Sequence, residues 1–323
     1  MQRFTRVLFV VTPDRDDTFA FERALRLAEA NQAALTVIDL EPVPATPVAR
    51  LPGGVSPERL RAALAEASAE RLQQYIDSAE GRVDIDTRTP GGGGFVEVVR
   101  CVQSGGHDLV VKAAMEAGSQ RRYLFSSFDM HLLRKCPAPV WLVKPEAGGE
   151  HYRRVLAPVD VDPDGAVSTE PSLNRRILEM AASQAVADGA ELHIAHAWQP
   201  AYEGVLRSRG IFAAESDVQR YIESERQAHQ AAFDRLAADM RSWVGVETCD
   251  WLQPVFHLRQ GEAGSVIPGL AAELDAGLVV MGTVARTGVA GLLIGNTAET
   301  IVEGIACSLL AVKPPGFRSP IEA

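Results

Sequence analysis

The chain has 323 residues, of which 46% are hydrophobic and 23% are charged, and its formal net charge at pH 7 is -10. This length suits two domains of about 150 residues, and the composition is typical of globular proteins, which argues against a disordered or membrane-spanning chain. The acidic balance opposes binding to nucleic acid, because polyanions are held by basic surfaces. The early apolar run, residues 7–11, is only five residues long and is closed by Asp14, Asp16 and Asp17, so it cannot serve as the core of a signal peptide. We therefore expect a cytoplasmic protein with neither a nucleic-acid nor a membrane partner.

The first half alternates short Val-, Ile- and Leu-rich runs with longer segments of helical period. Strands are predicted near residues 6–11, 34–39, 83–88, 109–113 and 140–144, and helices near 17–31, 57–79, 95–104 and 126–135. Ser56 and Pro57 mark the start of the second helix, with serine as the N-cap and proline at the first helical position. This pattern is typical of a parallel sheet covered by helices on both faces.

The second half repeats this order. Its strands are predicted near 154–160, 191–197, 253–258, 277–281 and 309–313, with a long charged helix near 216–243. The repeat is also seen in the residues themselves. The segment RVLFVVTP at 6–13 matches RVLAPVDV at 154–161, and CPAPVWLVKP at 136–145 matches CSLLAVKP at 307–314. The sequence therefore predicts two tandem α/β domains, residues 1–148 and 149–323, each with a doubly wound, five-stranded parallel sheet.

The best candidate site is the loop that follows the fourth strand of the second half. It reads GTVARTGVAGLLIGNTAE over residues 282–299 and leads into a helix. Glycines let backbone amides approach an anion closely, and a helix N-terminus adds unpaired N–H groups. Asn296 or Thr297 can cap that helix or donate to a phosphate oxygen. The loop has the outline of a phosphate cradle; the alternative is a tight strand-to-helix connection without a ligand.

This loop resembles the G-x2-G-x9-G-(S/T) signature of ATP-binding universal stress proteins. Gly282 and Gly295 match, whereas Ala285 replaces the second glycine and Asn296 replaces the usual Ser or Thr. The runs SGGHDLVVK at 104–112 and HLLRKCPAPVW at 131–141 resemble the first half of the tandem, UspE-like members. By this resemblance the chain is identified as a tandem member of the universal stress protein family.

The resemblance implies a site for ATP or a related adenine nucleotide in the second half. Its positions here are Pro158, Asp160, Ala197, Gly282, Arg286, Gly295, Asn296 and Thr297. The first two would meet adenosine, with the Asp160 carboxylate accepting from a ribose or base donor, and the backbone of Ala197 would line the adenine. The remaining residues would hold the phosphates, Arg286 through its charge. Alternatively, Asp160 forms a turn that caps the next helix, and Arg286 is a solvated loop charge.

The first half departs from this pattern. Thr12 lies where Asp160 lies, and Ala113 takes the place of Gly282, with Lys112 before it. The loop over 114–128 contains a single glycine, so no phosphate cradle can be read there. We expect the first domain to carry a degenerate site.

Catalytic and metal chemistry have little support in the sequence. No G-x-S-x-G elbow or HExxH motif is present. His193 and His196 are three apart in a predicted strand, so they should face opposite sides of the sheet and cannot chelate one metal ion. We expect no catalytic or metal-binding residues and, at most, very slow ATP hydrolysis.

Three functional interpretations follow. In the first, a nucleotide in the second domain biases conformation or the choice of an unknown protein partner during stress. In the second, the protein is a scaffold without any cofactor, in which the halves pair through their closing strands as an intramolecular pseudo-dimer that could dimerise further. In the third, the protein carries some other small ligand, an apolar or phosphorylated metabolite, in the emptier first-half cleft.

Overall fold

The computed structural model describes residues 4–13, 15–40, 56–92, 94–114, 125–145, 151–163, 173–208, 215–283 and 295–322. Elements of the first half are β1 (Arg6–Val10), α1 (Thr18–Asn31), β2 (Ala34–Ile38), α2 (Pro57–Ser78), β3 (Ile85–Arg88), α3 (Phe95–Gly105), β4 (Leu109–Ala113), α4 (Ser127–Lys135) and β5 (Val140–Val143). Those of the second half are β6 (Arg154–Pro158), α5 (Leu173–Asp188), β7 (Glu191–Trp198), α6 (Glu203–Ser208), α7 (Glu215–Val244), α8 (Val246–Leu252), β8 (Val255–Gln260), α9 (Ala263–Glu273), β9 (Leu278–Gly282), α10 (Asn296–Gly304) and β10 (Ser308–Val312).

The described residues form two compact units. The N-terminal unit contains residues 4–145 together with 308–322, and the C-terminal unit contains 151–283 together with 295–307. The closing strand β10 thus clusters with the first half, while the boundary near residue 148 stays a prediction. In the part of the chain that the structure describes, no helix is long and apolar enough to cross a membrane.

In the N-terminal unit the strand order is β3-β2-β1-β4-β5-β10. The first five strands pair in parallel, and β10 runs antiparallel to β5, with Leu310 opposite Trp141. The central strands β1 and β4 are apolar and buried almost throughout, as expected where helices cover both faces. At the edge, β3 alternates between half-buried and exposed residues.

In the C-terminal unit the strand order is β9-β6-β7-β8, all parallel. Helix α5 packs against α7 and α8, and α9 packs against α10. Two glycines allow the close approach of α9 to α10: a Cβ placed on Gly304 would lie 2.8 Å from Cγ of Pro268, and one on Gly264 would lie 2.9 Å from Cγ2 of Thr300.

These elements confirm the predicted α/β fold and nearly all of its strands and helices. The Ser56 side chain accepts a hydrogen bond from the Arg59 N–H at 3.2 Å, as its N-cap role requires. The long charged helix is α7. The prediction missed the short helices α6 and α8, and because α8 continues to Leu252, strand β8 begins at Val255, two residues later than expected.

Candidate functional site

The chain order reverses direction at strand β6 of the C-terminal unit. Strand β7 pairs with β6 on one side, with Pro158 opposite Ala195, and β9 pairs with it on the other, with Leu156 opposite Val279. In open parallel sheets, ligands bind beyond the carboxyl ends of the strands at such a switch point. The carboxyl ends of β6, β7 and β9 carry the predicted residues Pro158, Ala197 and Gly282, so the structure brings these positions to one edge.

The predicted residues at this edge are all accessible to solvent. Pro158, Ala197, Gly282 and Gly295 are half-buried, whereas Asp160, Asn296 and Thr297 are exposed. The strand residues just before them, such as Ala157 and Met281, are buried. Arg286 and the rest of the loop over 284–294 lie outside the described residues.

The loop after β6 is tied to the beginning of α5. The Asn174 side chain donates to the Asp160 carbonyl oxygen at 2.6 Å and accepts from the Asp160 N–H at 3.3 Å. The N-terminal unit uses a related contact, because the Asp17 carboxylate accepts from the Thr12 N–H at 2.8 Å. In both halves a side chain near the start of the first helix therefore fixes the backbone just beyond the first strand.

Gly282 meets the protein's own side chain. A Cβ at this position would lie 2.5 Å from Cδ2 of Leu173, the first residue of α5. The glycine therefore has a packing role against α5. This role differs from the tight strand-to-helix connection that the sequence left open for the loop glycines.

Helix α10 begins at Asn296 with Gly295 as its N-cap, and Gly295 provides no side-chain cap. Neither Asn296 nor Thr297 is therefore the N-cap residue. Of the two roles that the sequence allowed them, capping the helix is thus excluded. The first N–H groups of a helix have no intrahelical acceptor, and they carry the positive end of the helix dipole. The exposed start of α10, at Asn296 and Thr297, thus has N–H groups suited to bind an anion, although Glu299 places a carboxylate in the same turn.

The matching helix of the N-terminal unit, α4, already holds an anion of its own. Ser126 and Asp129 form a reciprocal capping box, with the Asp129 N–H donating to Ser126 Oγ at 3.1 Å and the Ser126 N–H donating to the carboxylate at 3.2 Å. The Lys112 ammonium lies 3.0 Å from the same carboxylate, and both side chains are buried. Burial lowers the pKa of Lys112, and the neighbouring Asp129 partly offsets that shift.

This buried pair is specific to the first half. Counted from the helix N-cap, Asp129 corresponds to Ala298, and counted along the strand, Lys112 corresponds to Met281. The pair was not predicted from the sequence. The sequence nevertheless shows a lysine inside the otherwise apolar strand β4 and a Ser-x-x-Asp pattern at the start of α4. The internal carboxylate gives a physical reason for a degenerate first site.

The histidines of β7 face different partners, as their spacing predicted. His193 Nδ1 lies 3.0 Å from His257 Nε2 on β8, and His196 Nε2 lies 2.9 Å from His229 Nδ1 on α7. Burial lowers the pKa of His257, and the nearby His193 lowers it further. Among the described residues no group of three or more His, Cys, Asp or Glu side chains is placed to hold a metal ion.

Comparison with known proteins agrees with this architecture. The universal stress protein family model matches residues 3–144 and again 151–313. The whole chain is 29% identical to Universal stress protein E of Escherichia coli strain K12, 98% of which is covered. A Universal stress protein E homolog from Haemophilus influenzae is 27% identical over 97% of this chain and 98% of its own length.

Solved structures show the same arrangement along the chain. A functionally unknown protein from Pseudomonas aeruginosa PAO1 superposes with a TM-score of 0.65 at 26% identity, covering 96% of this chain and 93% of the other. A putative universal stress protein from P. aeruginosa UCBPP-PA14 gives a TM-score of 0.65 at 25% identity, with 96% and 94% covered. The chain therefore belongs to the universal stress protein family and carries two tandem copies of its domain.

Proposed function

We propose that the C-terminal unit binds ATP or a related adenine nucleotide, and that the bound nucleotide biases conformation or the choice of a protein partner during stress. One observation carries the proposal: the N-cap of α10 is Gly295, which has no side chain to cap the helix, while the equivalent end of α4 holds the internal carboxylate of Asp129. In the second half, an anion from outside the protein can bind at the helix N-terminus, where the Asp129 carboxylate lies in the first half.

The residues at this edge divide into two groups. Pro158, Asp160 and Ala197 would face the nucleoside, with the Asp160 carboxylate accepting from a ribose or base donor. Gly282, Gly295, Asn296 and Thr297 would face the phosphates, mainly through backbone amides, which suit anions at a helix N-terminus. None of the four phosphate-facing residues has a side chain that can act as a general base at neutral pH. We therefore propose binding with, at most, very slow hydrolysis.

A scaffold without a nucleotide is the second candidate function. The contact between Gly282 and Leu173 favours it, because the contact gives this glycine a packing role whether or not a ligand binds. The departures at Ala285 and Asn296 from the family signature favour it as well. The two candidates differ in one measurable respect, which is whether a nucleotide stabilises the folded chain.

The internal repeat supplies the decisive variant. The double substitution Met281→Lys with Ala298→Asp places the lysine–carboxylate pair of the first half into the second, where it should fill the N-terminus of α10. We expect millimolar ATP to raise the melting temperature of the wild-type chain, since a ligand present at 100 times its Kd stabilises by about 2.7 kcal/mol. The double variant should lose this shift and should keep its circular dichroism spectrum.

The reverse exchange is the matched control. Lys112→Met with Asp129→Ala alters the same two positions of the first half and should leave the ATP shift unchanged. Gly295→Val tests the same cradle without adding a charge and should also abolish the shift. If the wild-type protein neither co-purifies with a nucleotide by mass spectrometry nor responds to ATP, the scaffold is the better account. A shift that survives in both C-terminal variants would mean that the nucleotide binds elsewhere.

A further inference from the structure

Two histidines on neighbouring strands of the C-terminal unit face each other. In the parallel register of β7 and β8, His193 lies opposite Val255, and Ala195 lies opposite His257. Residues two apart on a strand share a face of the sheet, so the two imidazoles are diagonal neighbours on one face. His193 Nδ1 lies 3.0 Å from His257 Nε2. Two nitrogens bound to one tetrahedral zinc ion are roughly 3.3 Å apart, so a small rotation of either ring would let both bind the same ion.

A carboxylate stands behind the His193 ring. This side chain is 8% exposed, and its Nε2 lies 3.5 Å from Glu191 Oε2. The contact is longer than a hydrogen bond, but the Glu191 side chain is 65% exposed and free to turn toward the ring. A histidine that directs one N–H at a carboxylate presents the lone pair of its other nitrogen, which is a common arrangement of metal-binding histidines. In His193 that other nitrogen is Nδ1, the atom that faces His257.

The pair is open to solvent through His257, which is half-buried. Strand β8 is at the end of the strand order, and each of its residues is exposed or half-buried. Two charged groups of opposite sign act on the pKa of His257, since Arg259 lowers it and Glu273 raises it. They form an ion pair at 2.9 Å, in which the Glu273 side chain is 60% exposed. Water and an exposed carboxylate are therefore within the surroundings of the imidazoles.

A second histidine pair, His196 with His229, lies on the opposite face of β7 in a different environment. Its ring nitrogens are 2.9 Å apart. His196 is 2% exposed, the ring of Phe233 lies 5.9 Å from it, and the ring of Trp198 lies 5.5 Å from His229. A divalent cation between these rings would be desolvated among aromatic side chains, which is costly. The surroundings therefore favour the pair of His193 and His257 as a metal site.

We propose that His193 Nδ1 and His257 Nε2 bind one divalent transition-metal ion of the zinc class. Imidazole is a ligand that suits zinc, copper and nickel, and water with the Glu273 carboxylate completes the coordination. Both imidazoles stay neutral, because the proton of His257 moves to Nδ1 when Nε2 binds the ion. The ion ties the outer strand β8 to β7.

This metal site is separate from the proposed nucleotide site and does not depend on it. His193 and Ala197 are four residues apart on β7, a distance of about 13 Å along the strand. Ala197 lies at the carboxyl end, where the nucleotide is proposed to bind, and His193 lies toward the other end.

Isothermal titration calorimetry with ZnCl₂ tests the proposal on the full chain, freed of metal with a chelator and kept without nucleotide. We expect His257→Gln to bind one Zn²⁺ fewer per chain than the wild type and to lose the Zn²⁺-dependent rise in melting temperature. His257→Cys should retain the ion, because a thiolate is also a zinc ligand. Glu191→Gln should weaken binding by about tenfold, since it removes only the carboxylate behind the ring.

The matched control is His229→Gln, which removes a histidine from the other pair and should bind Zn²⁺ like the wild type. Circular dichroism spectra establish that each variant is folded. The proposal would be overturned if the wild type bound no Zn²⁺ at about 1 mM, or if His257→Gln bound as many ions as tightly as the wild type. It would also be overturned if His229→Gln lost the same ion. Should His257→Gln not fold, unchanged Zn²⁺ affinity in Glu191→Gln would count equally against the site.

Discussion

The buried pair between Lys112 and Asp129 offers a direct test of how the first half is stabilised. Lys112→Met removes the ammonium and leaves the Asp129 carboxylate, whose side chain is 0% exposed, without its counter-ion. Removing one partner of a buried ion pair typically costs about 3–5 kcal/mol, because the remaining charge stays desolvated. We expect the single variant to lose an amount of unfolding free energy in this range.

The double variant Lys112→Met with Asp129→Ala should be much less affected. It removes both charges and installs the residues that the second half uses, Met281 and Ala298. What it loses is the capping-box hydrogen bond at the start of α4, about 1 kcal/mol, and the volume of the Asp129 side chain, about another 1 kcal/mol. We expect a net cost of roughly 2 kcal/mol, below that of the lysine substitution alone.

Urea unfolding followed by circular dichroism measures both variants. Asp129→Asn is a useful third, since it keeps the size of the side chain and removes its charge. The reasoning would be refuted if Lys112→Met cost less than about 1 kcal/mol, or if the double variant were as unstable as the single one. Either result would mean that Asp129 is not held as a buried anion that requires the lysine.

Four further substitutions test the titrating groups and the packing of α9 on α10. Burial lowers the pKa of Lys313 from 10.5 to about 8. Between these two pH values the unfolded chain binds more protons than the folded chain, so the free energy of unfolding should rise with pH by on the order of 3 kcal/mol. Lys313→Met should remove this rise, as measured by urea unfolding at several pH values. The pKa of His257 lies below 6.5, so stability should fall as the pH drops below about 6.5, and His257→Gln should reduce that loss. Gly304→Ala should destabilise the protein by about 1–3 kcal/mol, because the new Cβ would contact Pro268. Gly269→Ala places its Cβ more than 4 Å from any other atom and should stabilise the protein by about 0.5–1 kcal/mol. Equal effects of the two changes in urea unfolding would contradict the packing of α9 on α10.

Much of the fold could be predicted from the sequence because its signals are local. Continuous apolar runs such as residues 109–113 indicate strands buried on both faces, and Ser56 with Pro57 indicates where a helix begins. The missed helix α8 has seven residues, too few for a clear helical period. Because this helix ends at Gln253, in a left-handed conformation with φ of 44°, the following strand begins later than the sequence predicted.

The candidate site could be predicted only in part. The sequence places Gly282 and Gly295 in a glycine-rich loop, but it does not reveal that Leu173 packs against Gly282. It shows Lys112 and Asp129 as separate residues, 17 positions apart in the printed sequence. Their pairing depends on the packing of α4 beside the end of β4, which is a property of the folded chain.

The sequence by itself determined the family, the tandem repeat and the alternation of strands and helices, because these depend on the order and periodicity of residues along the chain. Tertiary structure alone decided that Lys112 pairs with Asp129 at the N-terminus of α4, and that the Leu173 side chain lies against Gly282. These features arise between residues distant in the chain, where burial and charge depend on neighbours that the sequence order does not specify.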